Sequence, residues 1–309
     1  MYEPHHLSGE SSGLYKTNPH DNGMTPQEYD LSKLRVEVFG TGRPLLMLHG
    51  WNRAGGDLKS LAALVAGDRT VHLVDLPGFG ASPLPEQREV HSGVTSLGGE
   101  SSVSSPMTES AWGTHEYGEL MVRYLQSVGI TSCDLLGHSF GGRICLRIAS
   151  RYQSMVGSMV LIGSHGLQLP KPFKVAVKSR LLRTLRRIVR LVDTTFNTKL
   201  YTKKFVPFFG SRDYLNAGPL RAILVKTVNE DQSENVRWIT APTLLLWGAL
   251  DTETPIAMGR RFQQLIGGAR LISLDNHGHD PFQDVGAHLC AYHIESFLRR
   301  LDESGKEAL

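Results

Sequence analysis

Gly137-His138-Ser139-Phe140-Gly141-Gly142 follows a short apolar run, Ser132-Cys133-Asp134-Leu135-Leu136, and precedes Arg143-Ile144-Cys145-Leu146-Arg147-Ile148-Ala149. The first run suits a buried strand, and the second carries apolar residues at helical spacing. A serine with glycines two residues away on either side, at a strand-to-helix junction, has the G-x-S-x-G pattern of a nucleophile elbow. The spacing has a steric reason. Such a serine takes a strained backbone conformation to lift its hydroxyl above the sheet, and the glycines let strand and helix approach. Six residues also describe an ordinary glycine-rich turn, so the assignment depends on partners elsewhere in the chain.

Upstream, Pro44-Leu45-Leu46-Met47-Leu48 is a fully apolar strand of the kind buried in a parallel sheet. It runs into His49-Gly50-Trp51, where glycine lets the backbone bend until amide groups face a ligand. With the elbow in place, the Trp51 and Phe140 N–H groups form a natural pair of oxyanion donors; without it, the same residues are a strand-ending turn. Residues 33–39 alternate like a half-exposed strand, 56–66 read as a helix, and 70–76 as a strand. That strand ends in Asp75-Leu76-Pro77-Gly78, and Asp beside Pro-Gly is turn chemistry rather than a catalytic acid. Thr114 is a plausible N-cap for a helix to about residue 128, and 158–162 is another buried strand.

Downstream, the strand at 243–247 is followed by Gly248-Ala249-Leu250-Asp251, which places an acid just past a strand end. Glu253 is the nearby competitor, but Thr254-Pro255 reads as a helix start with Glu253 turned outward. One unit further, a strand at 269–274 leads to Asn276-His277-Gly278-His279-Asp280-Pro281-Phe282. His279 follows a glycine and precedes a helix expected near Pro281, so its ring can swing toward the elbow more readily than that of His277. His277-x-His279-Asp280 also has a metal-like spacing, but such a site needs further histidines on other loops. A serine is a weak nucleophile until a base lies within reach. Here His279 takes the Ser139 proton, and Asp251 holds the imidazole tautomer and stabilises the imidazolium. The order Ser, Asp, His matches the one this strand–helix architecture uses.

The 309 residues can bury a large core and include no run of 18 apolar residues that would span a membrane. Residues 1–32 lack a basic tip and apolar block and read as a flexible tail, not a secretory signal. Residues 86–110 are mostly Ser, Gly, Thr and Glu and read as a disordered surface insertion. Cys133, Cys145 and Cys290 lie in apolar patterns and are odd in number, which points to reduced, buried thiols in a cytoplasmic protein. Residues 165–236 show helical patterns only, between two sheet strands. That excursion reads as a helical cap over the sheet edge where open α/β sheets bind ligands.

With these motifs assembled, the chain resembles the α/β hydrolases over residues 33–302. The resemblance rests on Leu48-His49-Gly50-Trp51, Val74-Asp75-Leu76-Pro77-Gly78-Phe79-Gly80, the elbow, Trp247-Gly248-Ala249-Leu250-Asp251 and Gly278-His279-Asp280-Pro281-Phe282. It implies an α/β-hydrolase fold, a mostly parallel sheet with helices on both faces, built from residues 33–164 and 237–304. It also implies a serine hydrolase without metal or organic cofactor. Serine at position 139 separates the chain from the dehalogenase and epoxide-hydrolase branches, which use aspartate. His49-Gly50-Trp51, the run from His72 to Gly80 and His279-x-Pro281-Phe282 are similar to the esterases that demethylate a pimeloyl-carrier-protein ester in biotin synthesis. The 86–110 insertion, Phe140 and the long tail are departures from them.

Residues 171–190 carry eight Lys or Arg and no acid, leaving 25 basic against 30 acidic residues elsewhere. Leu181, Leu185, Ile188 and Val192 form a helical stripe, with Arg183, Arg186, Arg187 and Arg190 largely off it. This is either a solvated face over a core, a docking surface for an acidic acyl carrier protein, or a membrane-surface contact. No nucleic-acid motif accompanies it. The sequence thus predicts a small-molecule ester or thioester hydrolase forming an acyl-enzyme on Ser139. The alternatives are a non-catalytic or slow-turnover ligand receptor on the same fold and a C–C bond hydrolase with the same three residues.

Overall fold

The computed structural model describes residues 29–85, 111–169, 184–185, 187–189, 191–196, 198, 200 and 212–307. Expectations for residues 1–28 and 86–110, and for Leu181, Arg183, Arg186 and Arg190, lie outside these. Among the described residues seven strands form one sheet: β1 (Val36–Gly40), β2 (Arg43–Leu48), β3 (Arg69–Val74), β4 (Cys133–His138), β5 (Val156–Ile162), β6 (Thr243–Gly248) and β7 (Arg270–Leu274). Their spatial order is β1-β3-β2-β4-β5-β6-β7. β1 runs antiparallel to β3, and every other pair is parallel. The central strands are built on buried apolar runs such as Leu45-Leu46-Met47-Leu48, Met159-Val160-Leu161-Ile162 and Leu244-Leu245-Leu246, because helices cover both of their faces. α1 (Lys59–Val65) and α7 (Gly286–Glu307) pack together on one face. α2 (Thr114–Ser127), α3 (Phe140–Arg151) and α6 (Ile256–Leu265) cover the other.

Between β5 and β6 the described residues hold helical turns only, including α4 (Arg212–Asn216) and α5 (Arg221–Asn229). The apolar stripe expected near residue 188 is not sealed: Ile188 is 53% exposed and Leu185 38%. Cys133, Cys145 and Cys290 are buried, and burial pushes the thiols of Cys133 and Cys290 up to about 12. Tyr29 is buried against Trp112, and its hydroxyl donates to the Pro83 carbonyl at 3.2 Å.

Three boundaries differ from the sequence pattern for local reasons. Leu31–Lys33 is a 3₁₀ turn whose N-cap, Asp30, accepts the Ser32 N–H at 3.0 Å, so β1 starts only at Val36. Thr114 is the first helical residue rather than the cap, because its N–H and hydroxyl are both taken by the Glu230 carboxylate. The last helix begins at Gly286, not at Pro281. Bonds from Gln283 N to Asp280 O and from Gly286 N to Gln283 O, with Asp284 at φ 50°, turn the chain first.

The strand order fixes where a site can form. From β2 the chain moves outward to β3, then crosses back past β2 to β4 and proceeds the other way. The carboxyl ends of β2 and β4 are therefore neighbours at a topological switch point, where open α/β sheets place their ligand crevice.

Candidate active site

Ser139 stands between β4 and α3 at φ 48°, ψ −106°, a conformation that costs a non-glycine residue on the order of 1–3 kcal/mol. The surroundings hold it there. Its N–H donates to the Ile162 carbonyl at 3.0 Å, and the Gly141 N–H donates to the His49 carbonyl at 3.0 Å. A β-carbon on Gly141 would lie 2.2 Å from the Leu48 carbonyl, and one on Gly137 would lie 2.6 Å from the Gly141 carbonyl. Strand, elbow and helix are thus pressed together as closely as bare backbone permits.

The β2 turn is set by His49, which is fully buried. Its Nε2 accepts the Leu76 N–H at 3.0 Å, so the proton sits on Nδ1 and is donated to the Gly50 carbonyl at 2.8 Å. Burial, as the largest influence, lowers the His49 pKa and keeps this neutral tautomer. Because a trans peptide points its C=O and N–H in opposite directions, fixing the Gly50 carbonyl turns the Trp51 N–H away from His49. Among the described residues neither the Trp51 nor the Phe140 N–H has a hydrogen-bond partner. The two side chains meet edge-to-face at 5.5 Å, and Phe79 and Tyr117 pack around them. Asp75 accepts the Gly55 N–H at 2.7 Å and the Ala81 N–H at 2.9 Å, which is the turn role its sequence suggested.

Asp251, past β6, is buried and fully engaged. Its Oδ1 accepts the Glu253 and Thr254 N–H groups at 2.9 and 2.8 Å, and its Oδ2 accepts the Thr254 hydroxyl at 2.6 Å. The same Oδ2 lies 2.9 Å from His279 Nδ1. Burial alone would raise the Asp251 pKa, but the bonds from His279 and Thr254 outweigh it and leave the carboxyl below its ordinary value. For His279 burial lowers the pKa, yet the bond to and charge of Asp251, with Glu253 and Asp280 adding, leave it above the usual imidazole value. With Nδ1 bound to the carboxylate, Nε2 is the free nitrogen of the ring. It lies 3.5 Å from the Glu253 carboxylate, whose side chain is 67% exposed. His277 instead bonds its own loop, Nδ1 to the Asp275 carbonyl at 2.7 Å.

Ser139, His279, Trp51 and Phe140 line one cavity of about 350 Å³, and Asp251 supports it from behind. Ser139 Oγ makes no hydrogen bond to a described residue. Nucleophile–base bonds in unliganded hydrolases often close only with substrate present. The sequence pattern did not single out several neighbours. Thr254 bridges Asp251 and His279, and Arg53 pairs with Asp280 across the two loops. His138, pushed down to about 3 by burial and by the charge of His279, approaches the His279 carbonyl at 3.1 Å. Of these only Thr254 had a sequence signal, a hydroxyl three residues after an acid that lies just past a strand end.

A model of the α/β hydrolase fold family matches residues 43–284. The chain is an α/β hydrolase. This hydrolase is 24% identical over 260 residues to the pimeloyl-[acyl-carrier protein] methyl ester esterase of Aeromonas hydrophila, covering 80% of this chain and 92% of that one. It is 25% identical over 300 residues to a 2-hydroxymuconate semialdehyde hydrolase of Pseudomonas putida, covering 93% and 92%. Among solved structures it superposes on a thermophilic esterase from Thermogutta terrifontis. That match has a TM-score of 0.59 and 17% identity over 87% of this chain and 93% of that one. The chain is accordingly an enzyme, and its relatives include a methyl ester esterase as well as hydrolases of 2-hydroxymuconate semialdehyde and of 2-hydroxy-6-oxo-6-phenylhexa-2,4-dienoate. Among the described residues no helix is long and apolar enough to cross a membrane.

Proposed function

We propose that this hydrolase is a serine esterase or thioesterase that works through an acyl-enzyme on Ser139. The observation that carries the proposal is the strained Ser139 elbow sharing one cavity with unpaired Trp51 and Phe140 amides and with His279, itself bound to Asp251 at 2.9 Å. In this reading the free Nε2 of His279 accepts the Ser139 proton as Oγ attacks the ester carbonyl. The two amides stabilise the oxyanion, Asp251 stabilises the imidazolium, and His279 then protonates the leaving alcohol or thiol. Water repeats the cycle to release the acid. No metal or organic cofactor enters these steps. Residues 165–236 act as the cap, with α5 supplying Leu224, Thr227 and Val228 to the cavity wall.

Fluorophosphonate labelling tests the proposal: the wild type labels and Ser139→Ala does not, and equal labelling of both rules it out. A second reading, hydrolysis of a C–C bond in a diketone-like substrate, is favoured by the relatives named as hydrolases of 2-hydroxymuconate semialdehyde and of a 2-hydroxy-6-oxo-dienoate. A panel of esters and dienoate ketones separates the two by kcat/KM.

The pimeloyl-carrier-protein esterases among the relatives support an acyl group delivered on an acidic carrier protein. On the basic segment, Arg187 is exposed beside Ile188 and Leu191. Reversing charge at Arg183 and Arg187 weakens hydrolysis of carrier-bound acyl groups and spares small esters. Equal loss on both removes the docking role.

A further inference from the structure

Arg143 lies four residues after Ser139, in the first turns of α3, and lines the same cavity. Only 6% of the residue is exposed, so its guanidinium is a charge placed in the interior. One nitrogen, Nη1, donates to the Thr227 carbonyl. Nε and Nη2 have no hydrogen-bond partner among the described residues. Because Arg143 lines the cavity, these are the nitrogens left for a bound group. Glu230 is the acid whose field Arg143 feels, but the Glu230 carboxylate is committed to Thr114 and lies 3.7 Å from Arg147. No carboxylate of a described residue stands within ion-pair distance of Arg143. A buried cation with a single neutral acceptor is costly to keep unless something else completes its shell.

His165, after β5, lines the cavity beside Arg143. Burial and the Arg143 charge push its pKa down to about 4, which leaves a neutral imidazole able to donate one hydrogen bond. The acids that line the cavity, Asp213 and Glu253, are exposed. The cavity therefore has a cationic inner wall and an acidic rim.

Resting on the serine-hydrolase reading, we infer that Arg143, with His165 beside it, forms a subsite for a carboxylate carried by the acyl chain of the substrate. The planar guanidinium fork matches a carboxylate, with two open nitrogens on one side. Four helical residues correspond to a rise of about 6 Å, and helical side chains lean back toward the N-terminus, which brings the fork toward the Ser139 end. The acyl chain, not the leaving alcohol, belongs at this inner wall. The acyl group stays bonded to Ser139 until water arrives, whereas the alcohol departs first by the rim. The substrate class is thus the half-esters or half-thioesters of short dicarboxylic acids.

The test compares monomethyl succinate, glutarate and adipate with methyl esters of neutral acids of equal chain length. The wild type favours at least one half-ester in kcat/KM. Arg143→Met lowers that preference about 30-fold or more, the lower end of what truncating one partner of a buried charge pair costs. Arg143→Lys, which keeps the charge and loses the fork, retains part of it. In a binding assay free of turnover, glutarate raises the Tm of Ser139→Ala but not of Ser139→Ala/Arg143→Met. A wild type that labels with fluorophosphonate yet prefers neutral esters overturns the subsite alone, as does an unchanged preference in Arg143→Met. Absence of Ser139-dependent labelling overturns the underlying reading. If Arg143→Met does not fold, Arg143→Lys decides: an unchanged preference and an unchanged glutarate shift reject the subsite.

Discussion

Asp251 and Asp134 are buried carboxylates at opposite ends of the same parallel sheet, and their acidities move in opposite directions. Burial favours the neutral form of both, so the difference lies in the donors. Asp251 accepts two backbone amides and a hydroxyl besides His279. Asp134 accepts the Ser158 hydroxyl at 2.8 Å on Oδ1. Its Oδ2 stands 3.4 and 3.3 Å from Nε of Arg43 and Arg69 without a hydrogen bond. Two cations at poor geometry do less for a buried carboxylate than short bonds from oriented dipoles. The cavity at the Asp134 end is also the larger, about 900 Å³ against 350 Å³. Void size does not separate the two ends; the groups that line them do. The carboxyl-end cavity holds an imidazole bound to a buried carboxylate, unpaired amides and a strained serine, while the amino-end cavity holds an ion network of Arg43, Asp134, Arg69 and Asp302.

The sharpest way to break this contrast is to neutralise each acid in turn. Asp251→Asn is expected to lower kcat on an ester substrate by roughly 10⁴-fold through loss of the correct His279 tautomer. Asp134→Asn should change it by no more than about twofold. Comparable losses in the two variants would abolish the distinction.

Next in size is a pair of glycines. Gly141→Ala drives a methyl into the Leu48 carbonyl at 2.2 Å, where only backbone can yield, and should cost about 3 kcal/mol in urea unfolding. Gly157→Ala meets Arg43 Nη2 at 1.7 Å, but that is the far end of a flexible side chain with 42% exposure. It should cost less than about 1 kcal/mol because the arginine swings away.

A pH profile comes third. His279 must be neutral to act as a base, and its pKa is raised, so kcat/KM rises with pH through a midpoint above the ordinary imidazole value. Neutralising Glu253, whose charge adds to that rise, moves the midpoint down. A midpoint that stays in place removes Glu253 from the electrostatics of the site.

The smallest effect concerns stability. Asp134 has a folded pKa above its unfolded one, so between the two values the folded chain binds more protons and stability falls as pH rises. Asp134→Asn removes that slope and keeps a urea midpoint at or above wild type at neutral pH. Asp251 has the opposite sign: its contribution is present above the unfolded pKa and is lost as pH falls through the lowered folded value. A lower neutral-pH midpoint in Asp134→Asn would show the Arg69 pair outweighing desolvation.

The parts of the site visible in sequence were those carried by short contiguous patterns. Ser139 lies between glycines, and Gly50-Trp51 follows an apolar strand. Asp251 and His279 each stand a few residues past such a strand, and the structure brings these loops to one edge of the sheet. Arg143 was legible only as one charge in a helical pattern, because its guanidinium meets Thr227, far away in the chain, only in the folded molecule. The Arg53–Asp280 pair was equally hidden, joining residues 227 positions apart. Helix starts were misplaced where the capping group is distant, as when Glu230 claims Thr114.

By itself, then, the sequence determined the strand–helix alternation, the elbow and the order of the loops that follow the strands. Steric limits on backbone and the burial of apolar runs act over a few residues and can be read from them. Only the tertiary structure decided which nitrogen of His49 carries the proton, which donors hold Asp251 ionised and what Arg143 faces. Those depend on the desolvation and dipoles of groups that meet only when the sheet is assembled.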